Sequence, residues 1–171
     1  MSDDGRFSAL APEVRVGLVF LSDKPNRLNH LYTDSKTSAM IQTKTAIRVR
    51  YAETDKMGLV YHGNYLTWFE VARVEMLDTI GYSYKQLEEE GFLLPVLEVN
   101  VRYRRPAFFD DKLIVRVTVK EKPIVKIQCD YEVLRHDELL ATGWSRHGFI
   151  NPQGEPVRPP KPLMELMGSH F

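Results

Sequence analysis

From Thr43 onward the chain alternates between apolar and polar residues. Thr45 to Tyr51 sets Ile47, Val49 and Tyr51 on one face and Arg48 and Arg50 on the other. That is the period of a half-buried strand, with Tyr51 continuing its inward face into the core. A loop containing Gly58 follows, and the period then changes. Between Asn64, a fair N-cap, and Gly81, a fair C-cap, about four helical turns are expected. Tyr65, Phe69, Ala72, Met76 and Ile80 form one stripe, which Leu66, Trp68 and Leu77 widen beyond the apolar face of a surface helix. Such a helix needs cover on more than one side.

Strand-like alternation returns downstream. Leu97, Val99, Val101 and Tyr103 share one face, as do Leu113, Val115, Val117 and Val119, then Val125, Ile127, Cys129, Tyr131 and Val133. A fourth run spans Leu139 to Ile150 after a turn at His136-Asp137, and the Asp110-Asp111 and Lys122-Pro123 pairs also read as turns. The expected order is strand, long helix, a shorter helical piece near Tyr84 to Glu90, then four strands. Short turns between strands imply antiparallel neighbours. One apolar helix with a curved antiparallel sheet is an α+β layout in which the sheet wraps the helix. The Pro-rich stretch from Asn151 to Pro162 reads as coil, with a short helical turn at Leu163 to Met167.

The first forty residues lack this patterning. Val14 to Phe20 alternates weakly, enough for one strand, and Ser22 to Ser38 is polar without a period. Residues 1–39 are therefore expected to be an extension outside the folded core, and residues 40–171 the domain.

Composition narrows the function classes. The 171 residues hold 23 basic and 23 acidic side chains, a net charge of zero, which argues against a general nucleic-acid binder. A single cysteine, Cys129, permits no internal disulfide and suggests a reducing, cytoplasmic setting. No run approaches the ~20 apolar residues of a membrane span, and the acidic N-terminus does not resemble a secretory signal. The five histidines are scattered without zinc-ligand spacing, so no metal is expected. Gly143 to Gly148 has the wrong spacing for a nucleophile elbow, and neither a phosphate-binding glycine loop nor a dinucleotide fingerprint is present. A hydrolase without a cofactor is the reading left.

The chemistry concentrates in residues 51–65, where Tyr51, Glu53, Asp55, Gly58, Tyr61, His62 and Gly63 lead into the helix. A loop entering a helix N-terminus offers unpaired N–H groups and a positive dipole end, which can polarise a carbonyl oxygen. A nearby carboxylate and imidazole can move protons or attack that carbonyl. The plainer readings are that Asp55 caps a turn, that His62 bonds backbone at the helix start, and that Glu70 and Arg73 form a helix ion pair. Glu75 reads as a solvated or interface residue. Trp144 and Phe149 read as core or interface, and Cys129 as inert packing.

The segment resembles the active-site signature of hotdog-fold thioesterases of the 4-hydroxybenzoyl-CoA thioesterase-like branch: Tyr51-x-x-x-Asp55-x-x-Gly58-x-x-Tyr61-His62-x-x-Tyr65. The resemblance continues through Phe69-Glu70-Val-Ala72-Arg73 on the helix and Tyr103-Arg-Arg-Pro106-Ala-Phe-Phe-Asp110-Asp111 beyond it. It implies hydrolysis of an acyl-CoA or acyl-carrier-protein thioester, with Asp55 as general base or nucleophile. The backbone N–H at or near His62 would hold the thioester oxygen, and the Tyr51 and His62 side chains would position Asp55, water or substrate. Tyr61 and Gly63 would line the substrate site. Arg104 and Arg105, with Lys122, Lys126 and Arg135 behind them, would meet the phosphates of coenzyme A unless they are ordinary solvent-facing charges. The resemblance also implies a homodimer or homotetramer with sites between subunits. A hotdog hydratase or dehydratase and a non-catalytic acyl-CoA-binding module are the competing readings.

Overall fold

A computed structural model of the chain describes residues 39–171. The expected extension, with its strand at Val14 to Phe20, lies outside the described residues apart from Ala39 itself. Strand β1 (Ile41–Arg48) leads through a 3-10 turn at Tyr51–Glu53 to helix α1 (Asn64–Thr79) and the short α2 (Tyr84–Glu89). Four strands follow, β2 (Val96–Tyr103), β3 (Lys112–Val119), β4 (Ile127–Arg135) and β5 (Glu138–His147), then α3 (Lys161–Gly168). They form one antiparallel sheet in the order β1-β3-β4-β5-β2. This is the α+β hotdog layout expected of the sequence.

Alternation dictates which residues enter the core. Leu113, Val115, Val117 and Val119 of β3 and Ile127, Cys129, Tyr131 and Val133 of β4 are all buried, each apolar side chain contributing about 1.5–3 kcal/mol on leaving water. Against them α1 lays Tyr65, Trp68, Phe69, Ala72, Met76 and Leu77. The Phe69 ring stacks on Tyr131 at 4.1 Å and 4°. That approach depends on Gly143 of β5, where a Cβ would stand 2.6 Å from Phe69 Cε2 and 2.5 Å from the Asn100 carbonyl oxygen. Gly81, at φ +89, turns the chain out of α1 in a conformation that favours glycine.

Several expectations are corrected. β1 ends at Arg48, and the chain bends after Val49, which exchanges backbone hydrogen bonds with the Asp110-Asp111 turn. Tyr51 is thereby carried out of the core and stands 76% exposed, edge-on to Phe109. Val125 precedes β4 and is exposed because the chain is still turning there. Asn64 begins α1 rather than capping it; the cap position is Gly63, with no side-chain cap bond. Arg73 makes no ion pair with Glu70; it is buried, with its guanidinium over the Tyr84 ring. The C-terminal turn is an eight-residue helix starting at Lys161, anchored by the fully buried Leu163 and Met167. In β2 the apolar face is open: Val96, Leu97, Val99 and Tyr103 are exposed along an edge strand.

Candidate active site

Glu53 organises the loop that carries Asp55. Its carboxylate is buried and accepts the Arg50 backbone N–H at 2.7 Å, the Arg50 guanidinium at 2.7 Å and the Trp68 indole N–H at 3.0 Å. Burial alone would raise its pKa; the hydrogen bonds from Arg50 and Trp68 outweigh that and hold it below the usual carboxylate value. The Glu53 carbonyl accepts the Tyr61 N–H at 2.9 Å and the Asn64 side-chain amide at 2.7 Å, so one residue ties together both ends of the loop and the first turn of α1. The sequence pattern assigns Glu53 no role beyond membership of the loop. The Glu–Trp spacing of 15 residues across a loop gives no periodic signal that could have revealed the contact.

Asp55 lies half-buried at the neck of the small hairpin made by the Thr54–Val60 bridge. One carboxylate oxygen accepts the Met57 N–H at 2.8 Å, the turn-capping role foreseen as the plain alternative. Its backbone N–H donates to Leu59 O at 2.8 Å and its carbonyl accepts Gly58 N–H at 2.9 Å, with Gly58 at φ +76. The second carboxylate oxygen has no hydrogen-bond partner among the described residues. No hydrogen bond links Asp55 to Tyr51 or to His62 there.

His62 and Gly63 stand where the loop becomes helix. The side chain of Asn64, which might otherwise serve the helix N-terminus, is directed to Glu53. Among the described residues nothing accepts the backbone N–H groups of His62 and Gly63, leaving two donors at the positive end of a sixteen-residue helix. Tyr103 donates its hydroxyl to His62 O at 2.9 Å, fixing this peptide from the β2 side. The Tyr61 ring lies 4.3 Å from the exposed His62 imidazole and passes so close to Gly63 that a Cβ there would fall 2.7 Å from Tyr61 Cε1. Glycine at position 63 therefore lets the Tyr61 ring lie against the start of α1.

The structure thus brings Asp55, Tyr61, His62 and Gly63 into one loop, with Tyr51 on its exposed flank. The segment after β2 packs alongside: Val60 N–H donates to Ala107 O at 2.9 Å, and the Arg104 and Arg105 N–H groups both donate to Leu140 O. Arg105 is held by Glu138 at 3.0 Å, whereas Arg104 is exposed and forms no ion pair among the described residues. Arg135 is occupied by Asp111 at 2.8 Å and by Glu138, which makes it part of the scaffold. Cys129 is buried, which pushes its thiol up to about 12 and leaves it unreactive.

A helix wrapped by a five-stranded antiparallel sheet is the hotdog fold. The thioesterase-like superfamily matches residues 49–166, and the chain belongs to that family. YneP of Bacillus subtilis is 40% identical over 79 residues, covering 46% of this chain and 57% of that protein, so the match spans just over half of that relative. The acyl-CoA thioesterase YbgC of Haemophilus influenzae is 34% identical over 96 residues, 56% of this chain and 71% of YbgC. Among solved structures, a DHNA-CoA thioesterase from Staphylococcus aureus is 36% identical with a TM-score of 0.71, covering 75% of this chain and 89% of that one.

Proposed function

We propose that the protein hydrolyses an acyl-CoA thioester to the free acid and coenzyme A. The observation that carries this reading is the pairing of two unspent N–H donors, at His62 and Gly63, with the half-buried Asp55 carboxylate of the same loop. In the proposed reaction the thioester oxygen lies against those donors, which stabilise the negative charge that builds on it. Asp55 either takes a proton from the attacking water or attacks the carbonyl itself, its oxygen opposite the Met57 contact being available. The carbon–sulfur bond breaks and the thiolate departs; on the water route the free acid forms directly, and on the nucleophilic route water then cleaves the mixed anhydride left on Asp55, releasing the acid and restoring the carboxylate. Coenzyme A is a good leaving group, so the step needs no strong general acid, metal or cofactor. The family membership and the names of the Haemophilus and Staphylococcus relatives support this chemistry.

Tyr61 and the His62 ring flank the approach to the donors, and Arg104, exposed and without an ion pair among the described residues, offers a cation to a coenzyme A phosphate. Tyr51, exposed and leaning on Phe109, fits a substrate-contact role better than one of orienting Asp55. The open apolar edge of β2 supports self-association into a dimer or tetramer, with sites near subunit boundaries. Among the described residues no helix is long and apolar enough to cross a membrane, and a cytoplasmic enzyme remains the proposal. The test is thiol release from short, long and aromatic acyl-CoAs and from an acyl-carrier-protein thioester. Turnover of at least one class is expected. Binding without release would favour a carrier module, and a change in acyl unsaturation without release would favour a hydratase.

A further inference from the structure

The donors at the start of α1 are backbone groups, and what aims one of them lies on another element. The Gly63 N–H belongs to the same peptide unit as the His62 carbonyl. That unit is planar and trans, so its carbonyl and its N–H point in opposite directions along one rigid plate. Whatever holds His62 O therefore sets the direction of the Gly63 N–H. The plate is weakly held from within. Gly63 has no Cβ to restrict its φ, and at φ -63 and ψ -26 it makes no side-chain cap bond. Among the described residues no backbone N–H donates to His62 O. The group that meets it is the Tyr103 hydroxyl, at 2.9 Å and 41 residues along the chain.

Tyr103 is itself firmly placed. It is the last residue of β2 and pairs with Ala141 of β5, and the next residue, Arg104, donates its N–H to Leu140 O at 2.8 Å. Its ring meets the buried Tyr65 of α1 edge-on, at 5.1 Å and 81°. Burial, then the neighbouring Tyr61, raises its pKa above the ordinary tyrosine value, so at neutral pH the phenol keeps the proton it donates. Stability gives little reason for the contact. Tyr103 stands 47% exposed, so water can serve the same carbonyl at small net cost. What water does not supply is a fixed direction. A carbonyl that accepts a hydrogen bond also polarises its own peptide, which strengthens the N–H on the far side as a donor.

We propose that Tyr103 is a positioning residue for the hydrolysis: acting through the His62 carbonyl, its hydroxyl aims the Gly63 N–H at the thioester oxygen. This inference rests on the thioesterase reading. Because the hydroxyl acts from the side of the peptide opposite the donor, the role requires no contact between Tyr103 and the substrate.

The experiment compares the wild type with Tyr103→Phe, which keeps the ring against Tyr65 and removes only the hydroxyl. Outright loss of an oxyanion donor costs ~10²–10³ in kcat, so misdirecting one of two donors should lower kcat by about tenfold to a hundredfold. KM should stay within about threefold, since the lost interaction belongs to the transition state. The second readout is the infrared stretch of an isotope-labelled thioester carbonyl bound to Asp55→Asn, where turnover is slow. That stretch should lie below its value in water and move back toward it in Asp55→Asn/Tyr103→Phe, a change a merely structural tyrosine would not give. A kcat equal to that of the wild type overturns the proposal, as does a lower kcat with the stretch unmoved. A raised KM at unchanged kcat also overturns it, by making Tyr103 a binding contact. If the wild type releases thiol from no acyl-CoA, the thioesterase reading fails and the role of Tyr103 falls with it; release by the wild type and Tyr103→Phe alike overturns the role alone. Should Tyr103→Phe fold poorly, 3-fluorotyrosine at position 103, a stronger donor of nearly the same shape, is expected to lower the stretch further, and an unmoved stretch overturns the proposal.

Discussion

Replacing Glu53 by glutamine tests how the loop is held, and its effect can be worked from the contacts. The amide keeps one oxygen for the Trp68 indole N–H. Its NH2 group then confronts the Arg50 backbone N–H, which loses an acceptor at 2.7 Å. A hydrogen bond to a charged group contributes about 1.5–3 kcal/mol. The guanidinium side of the pair adds little, because the Arg50 side chain is 72% exposed and screened by water. The expected loss is about 2 kcal/mol. For a domain of this size that lowers Tm by roughly 6–10 °C. Because hydrogen bonds hold the Glu53 pKa below its ordinary value, its stabilisation is complete above the unfolded carboxylate pKa and disappears as pH falls through the folded value. The gap between wild type and Glu53→Gln should therefore be widest at neutral pH and close in acid. Thermal denaturation followed by circular dichroism across that range measures both features. Thiol release should also fall, roughly tenfold to a hundredfold, as the Tyr61 and Asn64 anchors on the Glu53 carbonyl loosen. A variant that melts with the wild type at pH 7, or a gap indifferent to pH, would refute this account of the loop.

Two further outcomes follow from the packing. Gly143→Ala places a methyl group against Phe69 and the Asn100 carbonyl, so it should cost about 1–3 kcal/mol in chemical denaturation, a loss that Phe69→Leu does not restore because the backbone contact with Asn100 remains. His147 folds as a neutral imidazole, its pKa lowered from 6.5 to about 4 by burial, then by the neighbouring Arg73 charge; the unfolded chain binds its proton first on acidification, so stability is full above pH 6.5 and about 3 kcal/mol is lost as pH falls to 4. Denaturation of wild type and His147→Asn over that range should show a shallower acid loss in the variant.

The architecture was legible wherever one physical period governed a segment. β3 and β4 bury the residues their alternation places inward because both strands are central and covered by α1. The breadth of the apolar stripe on α1 likewise announced a helix enclosed by a sheet. Legibility failed where a side chain answers to something other than its own element. Tyr51 continues the period of β1, but the chain bends after Val49 and carries it to the surface. β2 carries the same alternation as β3 yet stays open, because the pattern cannot say that a strand will be at an edge. Arg73 has the spacing of an ion pair with Glu70, but its turn of the helix faces Tyr84. Within the site, the grouping of Asp55, His62 and Gly63 was visible as one dense loop resembling a known signature. Glu53 was not, since its partners Arg50, Trp68 and Asn64 meet only once loop and helix have folded together.

The most direct test of the central claim is to measure turnover and affinity together in Asp55→Asn. The substitution keeps the Met57 contact and the shape of the loop while removing the base or nucleophile. The account predicts that thiol release from the best acyl-CoA falls by about 10²–10⁴, while the affinity for a non-hydrolysable thioether analogue stays within a few-fold of wild type. Turnover in Asp55→Asn equal to that of wild type would contradict it, and the chemistry would then have to be sought elsewhere in the fold.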